Sequence, residues 1–367
     1  MWLIFIGIAL CIALYGCTIQ KSFGRMPRGE RLERVRQSPN YRDGKFQNLE
    51  PTQQLTNDKP MIALFFKMLF GKRLDDAKPR EALPTVKTDL KSLDRAENVF
   101  VWFGHSSCFI QIDGKRFLID PVFHSASPFS FTNKPFKGTD IYTSADMPDI
   151  DYLLISHDHW DHLEYRTVLT LKDKATKIVT GLGVGEHFEY WGFEPSRIIE
   201  MDWNDSIAIA DGFTLHCLPA RHFSGRFLRR NPSLWVGFLL QTPSKTVYIS
   251  GDGGYGKHFA EIARRFPSID FAVLENGQYS QNWQYIHTQP DLLPETVRDL
   301  QPKRFVTVHN SKYSLSDQHR WYEPLARIAT VAEHDSLPLL TPKIGEKVDL
   351  DEAGQRFERW WEMTIKN

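Results

Sequence analysis

Residues 155–162 read Ile155-Ser156-His157-Asp158-His159-Trp160-Asp161-His162 and hold the densest group of candidate metal ligands in the chain. They follow a short apolar run that predicts a buried strand ending directly at the histidines. Side chains alternate along an extended chain, so His157 and His159 point to the same side. Asp161 and His162 then require a turn, which places a second pair of donors beside the first. Imidazole nitrogen and carboxylate oxygen suit zinc and similar metals, so the stretch indicates two adjacent ions rather than a solvated loop.

Three more candidate donors follow apolar runs in the same way. They are His222, Asp252 and His309, and each comes shortly after a predicted strand. Each alone has an ordinary alternative, namely a surface histidine, a turn aspartate or a core histidine. Two adjacent metals need more ligands than one loop supplies. Because the order of apolar strand and then donor recurs, we expect all three to join the site.

The apolar runs predict a strand-rich domain that begins near residue 98. Strands are predicted at 99–103, 108–112, 116–119, 152–155, 178–180, 197–201, 213–218, 236–241, 246–250, 271–274 and 305–308. Asp113-Gly114 between two of these runs predicts a tight hairpin. Helical patterns lie at 165–171, 184–191, 255–265 and 292–300. Strands that come first as a meander, with helices inserted later, predict an α/β sandwich of two packed sheets with external helices.

Composition places the chain among ordinary folded proteins. It has 367 residues, 41% hydrophobic and 25% charged, with a formal net charge of zero. Neither the net charge nor a stripe of basic residues therefore indicates nucleic-acid binding. The four cysteines form no Cys-x-x-Cys pair, which argues against a thiolate zinc site and against a disulfide framework. Thirteen histidines are consistent with metal chemistry.

The N-terminus predicts attachment to a membrane. Residues 2–16 are uncharged and almost wholly apolar, and basic residues follow from Lys21 to Arg36. We assign residues 1–20 to a single membrane anchor or signal segment, with the side of the membrane open. Lipidation at Cys17, cleavage, and a buried helix of the globular domain remain alternatives. We expect a membrane-associated protein.

The remaining chain divides into three parts. Residues 21–92 form a basic arm to which the sequence assigns no function. Its apolar patch at 61–70 predicts a short helix that docks on the domain or touches a membrane. We expect residues 93–345 to form the domain that holds the candidate metal ligands, and residues 346–367 to form a C-terminal tail.

These motifs together resemble the metallo-β-lactamase superfamily, and within it the branch of N-acyl-phosphatidylethanolamine-hydrolysing phospholipase D and its bacterial relatives. The resemblance runs from about residue 98 to about residue 311. It rests on residues 102–107, Trp102-Phe103-Gly104-His105-Ser106-Ser107, on the histidine stretch, and on Arg221-His222, Gly251-Asp252 and Val308-His309. It implies an αββα sandwich, with two packed mixed sheets and external helices.

The resemblance also implies a ligand set. His157, His159 and His222 would hold one metal. Asp161, His162 and His309 would hold the other, and Asp252 would bridge the pair. We expect two Zn²⁺ ions, although manganese and iron accept the same donors.

The expected function is a binuclear metal-dependent hydrolase, most simply a phosphodiesterase of phospholipase D type that uses a metal-bridging hydroxide. The alternative is a hydrolase of carboxylic esters, lactones or thioesters, because the same nucleophile attacks carbonyls. A non-catalytic metal-binding protein is a third class, which the full donor set disfavours. The substrate would be a small molecule or a lipid, not nucleic acid.

Other residues are candidates for roles around the metals. His287 resembles a histidine that lies near the substrate in the phospholipase D relatives, where it would act as general acid or orient a phosphoryl oxygen; a capping or surface role is the alternative. With Asp252 it forms the expected catalytic pair. We expect Asp158 to accept a hydrogen bond from an imidazole N–H. We expect His105 to lie in a strand turn or to contact a metal ligand. Aromatic residues expected near the mouth are Trp160, Phe223, Tyr255, Tyr279, Trp283, Tyr285 and Tyr313.

Overall fold

Two mixed β-sheets packed face to face form the body of the protein. The structure, a computed structural model, describes residue 16 and residues 19–56, 74–226, 229–316 and 318–365. In chain order the strands are β1 (Tyr41–Arg42), β2 (Lys45–Phe46), β3 (Val99–Trp102), β4 (Cys108–Ile112), β5 (Lys115–Ile119), β6 (Ile150–Ile155), β7 (Ala175–Gly181), β8 (Ile198–Met201), β9 (Ser206–Ala210), β10 (Phe213–Leu218), β11 (Gly237–Gln241), β12 (Thr246–Ile249), β13 (Phe271–Glu275), β14 (Phe305–Val308) and β15 (Lys347–Asp349).

Helices pack around the two sheets. They are α1 (Gly29–Gln37), α2 (Tyr165–Thr170), α3 (Gly185–Tyr190), α4 (His258–Arg265), α5 (Leu293–Leu300), α6 (Glu323–Asp335) and α7 (Trp361–Ile365), with 3-10 turns at Ser144–Asp146 and Pro195–Arg197. Within the described residues, one sheet has the order β15-β3-β4-β5-β6-β7-β8 and the other β14-β13-β12-β11-β10-β9. The expected α/β class and αββα sandwich are confirmed.

Alternating side chains divide the apolar core into layers. On β3, Phe100 and Trp102 face the core between the sheets, whereas Val99 and Val101 face the outer helices. This is the period-two alternation of a strand with both faces covered. Each fully buried apolar side chain contributes about 1.5–3 kcal/mol, so a strand covered on both faces is strongly held in register.

The hairpin predicted at Asp113-Gly114 is confirmed. β4 and β5 pair antiparallel up to Ile112 and Lys115. Asp113 has φ 46° and Gly114 has φ 78°. Positive φ at both central residues is the condition for a type I′ turn, which matches the twist of the flanking strands.

The sheets bring strand ends together at one edge of the sandwich. Strands β5 to β8 run parallel, and so do β12 to β14 in the other sheet. Parallel strands present their carboxyl ends at a common edge, where open α/β sheets place their ligands. His157 follows β6, and His309 follows β14. The fold therefore collects residues distant in sequence into one site.

Several elements were not anticipated from the sequence. Helix α1 has only Val35 buried, so no apolar stripe marks it. Ion pairs attach it instead: the Arg31 guanidinium lies 2.8 Å from Glu186 Oε2 and 2.7 Å from Glu200 Oε2. The sequence also did not predict strands β9 and β15 or helices α6 and α7.

The domain boundaries expected at residues 93 and 346 do not mark gaps in the packing. Phe46 and Leu83, from the basic arm, lie in the core between the sheets. Strand β15 pairs with β3, and Trp360 is fully buried. The described parts of the arm and the tail therefore belong to the folded unit, because their apolar side chains are buried against it.

Two expectations fall outside the described residues. The apolar patch at 61–70 is one, and the N-terminal segment is the other except for residue 16 and residues 19–20. Among the helices that the structure does describe, none is long and apolar enough to span a bilayer.

Candidate metal centre

Three imidazoles form the first group of donors. His157 Nε2 lies 2.8 Å from His159 Nδ1, and His222 Nε2 lies 3.3 Å from the same atom. Nitrogen atoms this close repel each other unless a proton or a cation lies between them. The three histidines, contributed by the loops after β6 and β10, can therefore share one cation.

A second group lies beside the first. Asp161 Oδ2 is 3.3 Å from His309 Nε2 and 3.5 Å from His162 Nε2. Asp252 connects the two groups, because its Oδ2 is 3.0 Å from both His162 Nε2 and His309 Nε2 and 3.9 Å from His222 Nε2. One carboxylate thus touches donors of both groups.

Outer hydrogen bonds fix the orientation of four of these imidazoles. His157 Nδ1 lies 3.0 Å from Ser156 Oγ, and His222 Nδ1 lies 2.7 Å from the Ile286 carbonyl oxygen. His162 Nδ1 lies 2.9 Å from Asp120 Oδ2, and His309 Nδ1 lies 3.2 Å from Glu275 Oε1. Each ring holds its Nδ1 on the protein and turns its Nε2 inward, which is how proteins orient histidine ligands of metals.

Burial makes the first group neutral. It lowers the pKa of His157 and His222 well below the ordinary value, with the other imidazoles of the cluster adding to the effect. Burial also lowers the pKa of His159, to about 4. At neutral pH these three rings carry free lone pairs, which is the form that binds a metal.

Carboxylates dominate the second group. Burial opposes the charged form of His162 and His309, but Asp252 and Asp161 outweigh it and raise the pKa of both imidazoles well above the ordinary value. The same contacts, against the effect of burial, hold the pKa of Asp252 and Asp161 well below theirs. Without a metal, protons on the imidazoles balance the carboxylates, and a bound cation would replace those protons.

An unsatisfied atom supports a cation at this place. Within the described residues, Asp252 Oδ1 is buried and has no hydrogen-bond partner. An unpaired buried polar atom costs about 1–3 kcal/mol. Nitrogen and carboxylate donors are those of zinc and related ions. The side chains present therefore fit metal ions.

Close backbone approach brings the loop of Asp252 against the histidine loop. Gly251 has φ 62°, and a Cβ atom there would lie 2.5 Å from the Val236 carbonyl oxygen and 3.2 Å from Ser156 Cβ. Only glycine avoids both the steric clash and the strained conformation. The loop after β12 can therefore pass against the histidine loop and present Asp252 to both donor groups.

All seven donors expected from the sequence meet at this point, and His287 lies beside them. Its Nδ1 is 3.1 Å from Glu275 Oε1. Its ring centroid lies 5.1 Å from that of His222 and 5.0 Å from that of His309. His105 also contacts the cluster, because its Nε2 lies 2.9 Å from Asp161 Oδ2.

Asp158 supports the loop from the other side. It accepts hydrogen bonds from the Gly225 N–H at 2.7 Å and the Ser233 hydroxyl at 2.9 Å. Its expected imidazole partner proves to be His187, at 3.2 Å, and not one of the seven donors. Asp158 therefore ties the histidine loop to the loop that carries His222.

A cavity of about 240 Å³ opens over the donors. Of the seven aromatic residues expected at the mouth, Phe223 and Trp283 line it. Tyr279 and Tyr313 are buried away from solvent instead. The remaining side chains pack elsewhere: Trp160 against Phe23, Tyr285 against Arg221, and Tyr255 in a hydrogen bond to Asp299.

Two acidic residues of the site were missed in the sequence. Asp120 follows β5 directly and contacts Ser156 N, Ser156 Oγ and His162. Glu275 ends β13 and contacts His287 and His309. Both obey the order of apolar strand and then donor that identified Asp252, so the same signal could have found them.

The chain is similar to several known proteins. Residues 115–310 match the model of the beta-lactamase superfamily domain. An uncharacterized protein of Mycobacterium tuberculosis is 36% identical over 335 residues, which is 89% of this chain and 88% of that protein. An N-acyl-phosphatidylethanolamine-hydrolyzing phospholipase D of Caenorhabditis elegans is 28% identical over 240 residues, 61% of this chain and 66% of that protein.

A metal-dependent hydrolase of Pyrobaculum neutrophilum is 28% identical over 218 residues, 59% of this chain and 86% of that protein. Among solved structures, a metallo hydrolase from Ignicoccus hospitalis superposes with a TM-score of 0.54 at 19% identity, over 69% of this chain and 98% of that one. At that identity the likeness concerns the fold.

Proposed function

The chain belongs to the metallo-β-lactamase superfamily and is a metal-dependent hydrolase, and we propose that it is a binuclear phosphodiesterase of phospholipase D type. One observation carries the binuclear part of the proposal. Asp252 Oδ2 lies 3.0 Å from two imidazole nitrogens of one donor group and 3.9 Å from a nitrogen of the other.

The proposed ligand set follows the two donor groups. His157, His159 and His222 would hold one ion, Asp161, His162 and His309 would hold the other, and Asp252 could contribute to both. We propose zinc, while manganese and iron accept the same donors. Two such ions would supply a hydroxide nucleophile at neutral pH and stabilise the charge that develops on the phosphoryl oxygens.

His287 gives the site a proton donor. Its Nδ1 is occupied by Glu275 Oε1 at 3.1 Å, and the residue lines the cavity. In its doubly protonated form the ring would then donate its Nε2–H to the departing alkoxide oxygen. An alkoxide needs such help far more than a phenolate, because its conjugate acid is much weaker.

The cavity walls favour a lipid or another partly apolar substrate. Leu55, Phe223, Trp283, Ile286 and Leu315 line it, together with the polar donors. The C. elegans relative is named for hydrolysis of a phospholipid. We propose membrane association through the segment at residues 1–20, which would bring the site to its substrate.

One panel of substrates tests the proposal. The full chain, loaded with zinc or manganese, is assayed on a bis-aryl phosphodiester, a phospholipid, a lactone and a cephalosporin, with Asp252→Ala as the matched inactive control. We expect hydrolysis of the two phosphodiesters, lost in the control. Hydrolysis of the lactone alone would contradict the phosphodiesterase and would indicate an ester or lactone hydrolase.

A further inference from the structure

An irregular segment of the N-terminal arm crosses the candidate site. We call residues 46–56 the strap. At its start, the Phe46 N–H donates to the Asn231 carbonyl oxygen at 2.9 Å. At its end, the Thr56 N–H donates to the Asn282 carbonyl oxygen at 2.7 Å. The strap therefore joins the loop that carries His222 to the loop that precedes His287.

Contacts along the strap reach the remaining loops. The Arg221 Nε–H donates to Thr52 Oγ1 at 3.0 Å, and the Lys257 N–H donates to Glu50 Oε1 at 2.8 Å. Leu55 and Gln54 line the cavity over the donors. All of these strap residues precede residues 115–310, which match the superfamily domain. The strap thus lies outside the segment that matches the superfamily domain and still lines the site.

One strap side chain holds a proposed metal ligand directly. The Asn48 side-chain amide donates to the His222 carbonyl oxygen at 2.8 Å, and its Oδ1 accepts the His222 N–H at 3.1 Å. A primary amide paired with both backbone groups of one residue fixes the position of that residue in two directions. The ring of His222 is held separately, by the Ile286 carbonyl oxygen at 2.7 Å.

We propose that Asn48 is a positioning residue for the metal centre, which acts by holding the backbone of His222 so that its Nε2 faces the ion. This inference rests on the proposed assignment of His222 as a ligand. Without Asn48 the loop can shift, and a ligand displaced by a fraction of an ångström binds its metal less tightly. Loss of an outer partner of a ligand typically costs about 10–100-fold in metal affinity.

The test compares three single variants of the full chain: Asn48→Ala, Gln47→Ala and His222→Ala. Gln47 is a matched control, because among the described residues its side-chain amide hydrogen-bonds only within the arm, to the Arg42 carbonyl oxygen and Asp43, each at 3.1 Å. Zinc affinity is measured by competition with a chelator, and the visible spectrum of the cobalt(II)-loaded protein reports coordination. Near-UV circular dichroism of the metal-free proteins reports folding.

We expect Asn48→Ala to lower zinc affinity about 10–100-fold and to change the cobalt spectrum, whereas Gln47→Ala changes neither. In the His222→Ala background, adding Asn48→Ala should cause no further loss, because the residue through which Asn48 acts is gone. Asn48→Ala with wild-type affinity and spectrum would overturn the proposal, as would full additivity with His222→Ala.

Two outcomes keep the inference separate from the proposed function. If His222→Ala binds zinc like the wild type, the ligand assignment fails, whatever Asn48 does. If Asn48→Ala does not fold, Asn48→Asp replaces it, because aspartate keeps the shape and the acceptor but cannot donate to the His222 carbonyl. Asn48→Asp is then expected to weaken zinc binding, and unchanged affinity would overturn the inference.

Discussion

Replacing His287 with asparagine should slow alkyl phosphodiesters far more than aryl ones. The Nδ1 of His287 lies 3.1 Å from Glu275 Oε1, and this contact orients the ring. Removing a general acid costs about 10²–10⁴ in rate, or about 3–5 kcal/mol of barrier height. Aryl esters, whose phenolate leaves without a donor, should lose less than about tenfold.

The assay measures kcat/KM of His287→Asn on matched alkyl and aryl phosphodiesters, together with the zinc content. His216→Asn is the control, because that imidazole bonds Gln241 on the surface of the second sheet. Equal loss on both substrates would indicate orientation of the phosphoryl group instead of proton donation. Unchanged rates on both would refute the role, and a fall in zinc content would make His287 a ligand.

Three further variants test the site's support and the core. Asp120→Asn keeps the shape but removes the charge that accepts from His162 Nδ1 and Ser156; zinc affinity by chelator competition should fall about 10–100-fold. Burial lowers the pKa of His258 to about 3 from an ordinary 6.5, so the unfolded chain takes up a proton below pH 6.5 that the folded one refuses until about pH 3. The contribution of His258 to stability therefore falls as pH falls through this window. Between pH 7 and pH 5, the free energy of unfolding of His258→Gln, measured in urea, should fall by about 2 kcal/mol less than that of the wild type. Phe238→Ala empties a fully buried position between the sheets and should lower the free energy of unfolding by about 3–5 kcal/mol, measured in urea, while a smaller loss would mean that the core collapses around it.

The strands around the site could be predicted because they are covered on both faces. Each is a short, nearly continuous apolar run that ends in a polar donor, as at β6 with His157 and at β14 with His309. At these places an apolar run that predicts a strand ends at a residue type that binds metals. The sequence therefore predicts both the strand and the candidate ligand. Asp120 and Glu275 follow the same order of apolar strand and acidic residue as Asp252, so the sequence carries the signal for them as well.

Elements held by polar contacts could not be predicted. Helix α1 is stabilised by the ion pairs of Arg31 with residues more than 150 positions away, and such partners leave no periodic trace. The strap has no regular structure after Phe46, and its hydrogen bonds reach loops far along the chain. Asn48 in isolation is an ordinary polar residue, and its relation to His222 exists only in the folded protein.

The most direct test of the account is a count of metal ions. Elemental analysis of the purified full chain, supplied with zinc, should give about two equivalents per chain, and activity should disappear with the metal under chelation. His157→Ala and Asp252→Ala should each lower the zinc content, because the first removes a donor of one group and the second the carboxylate shared by both. Full activity in a preparation free of transition metal would contradict the account, and a single ion unaffected by Asp252→Ala would contradict the binuclear site.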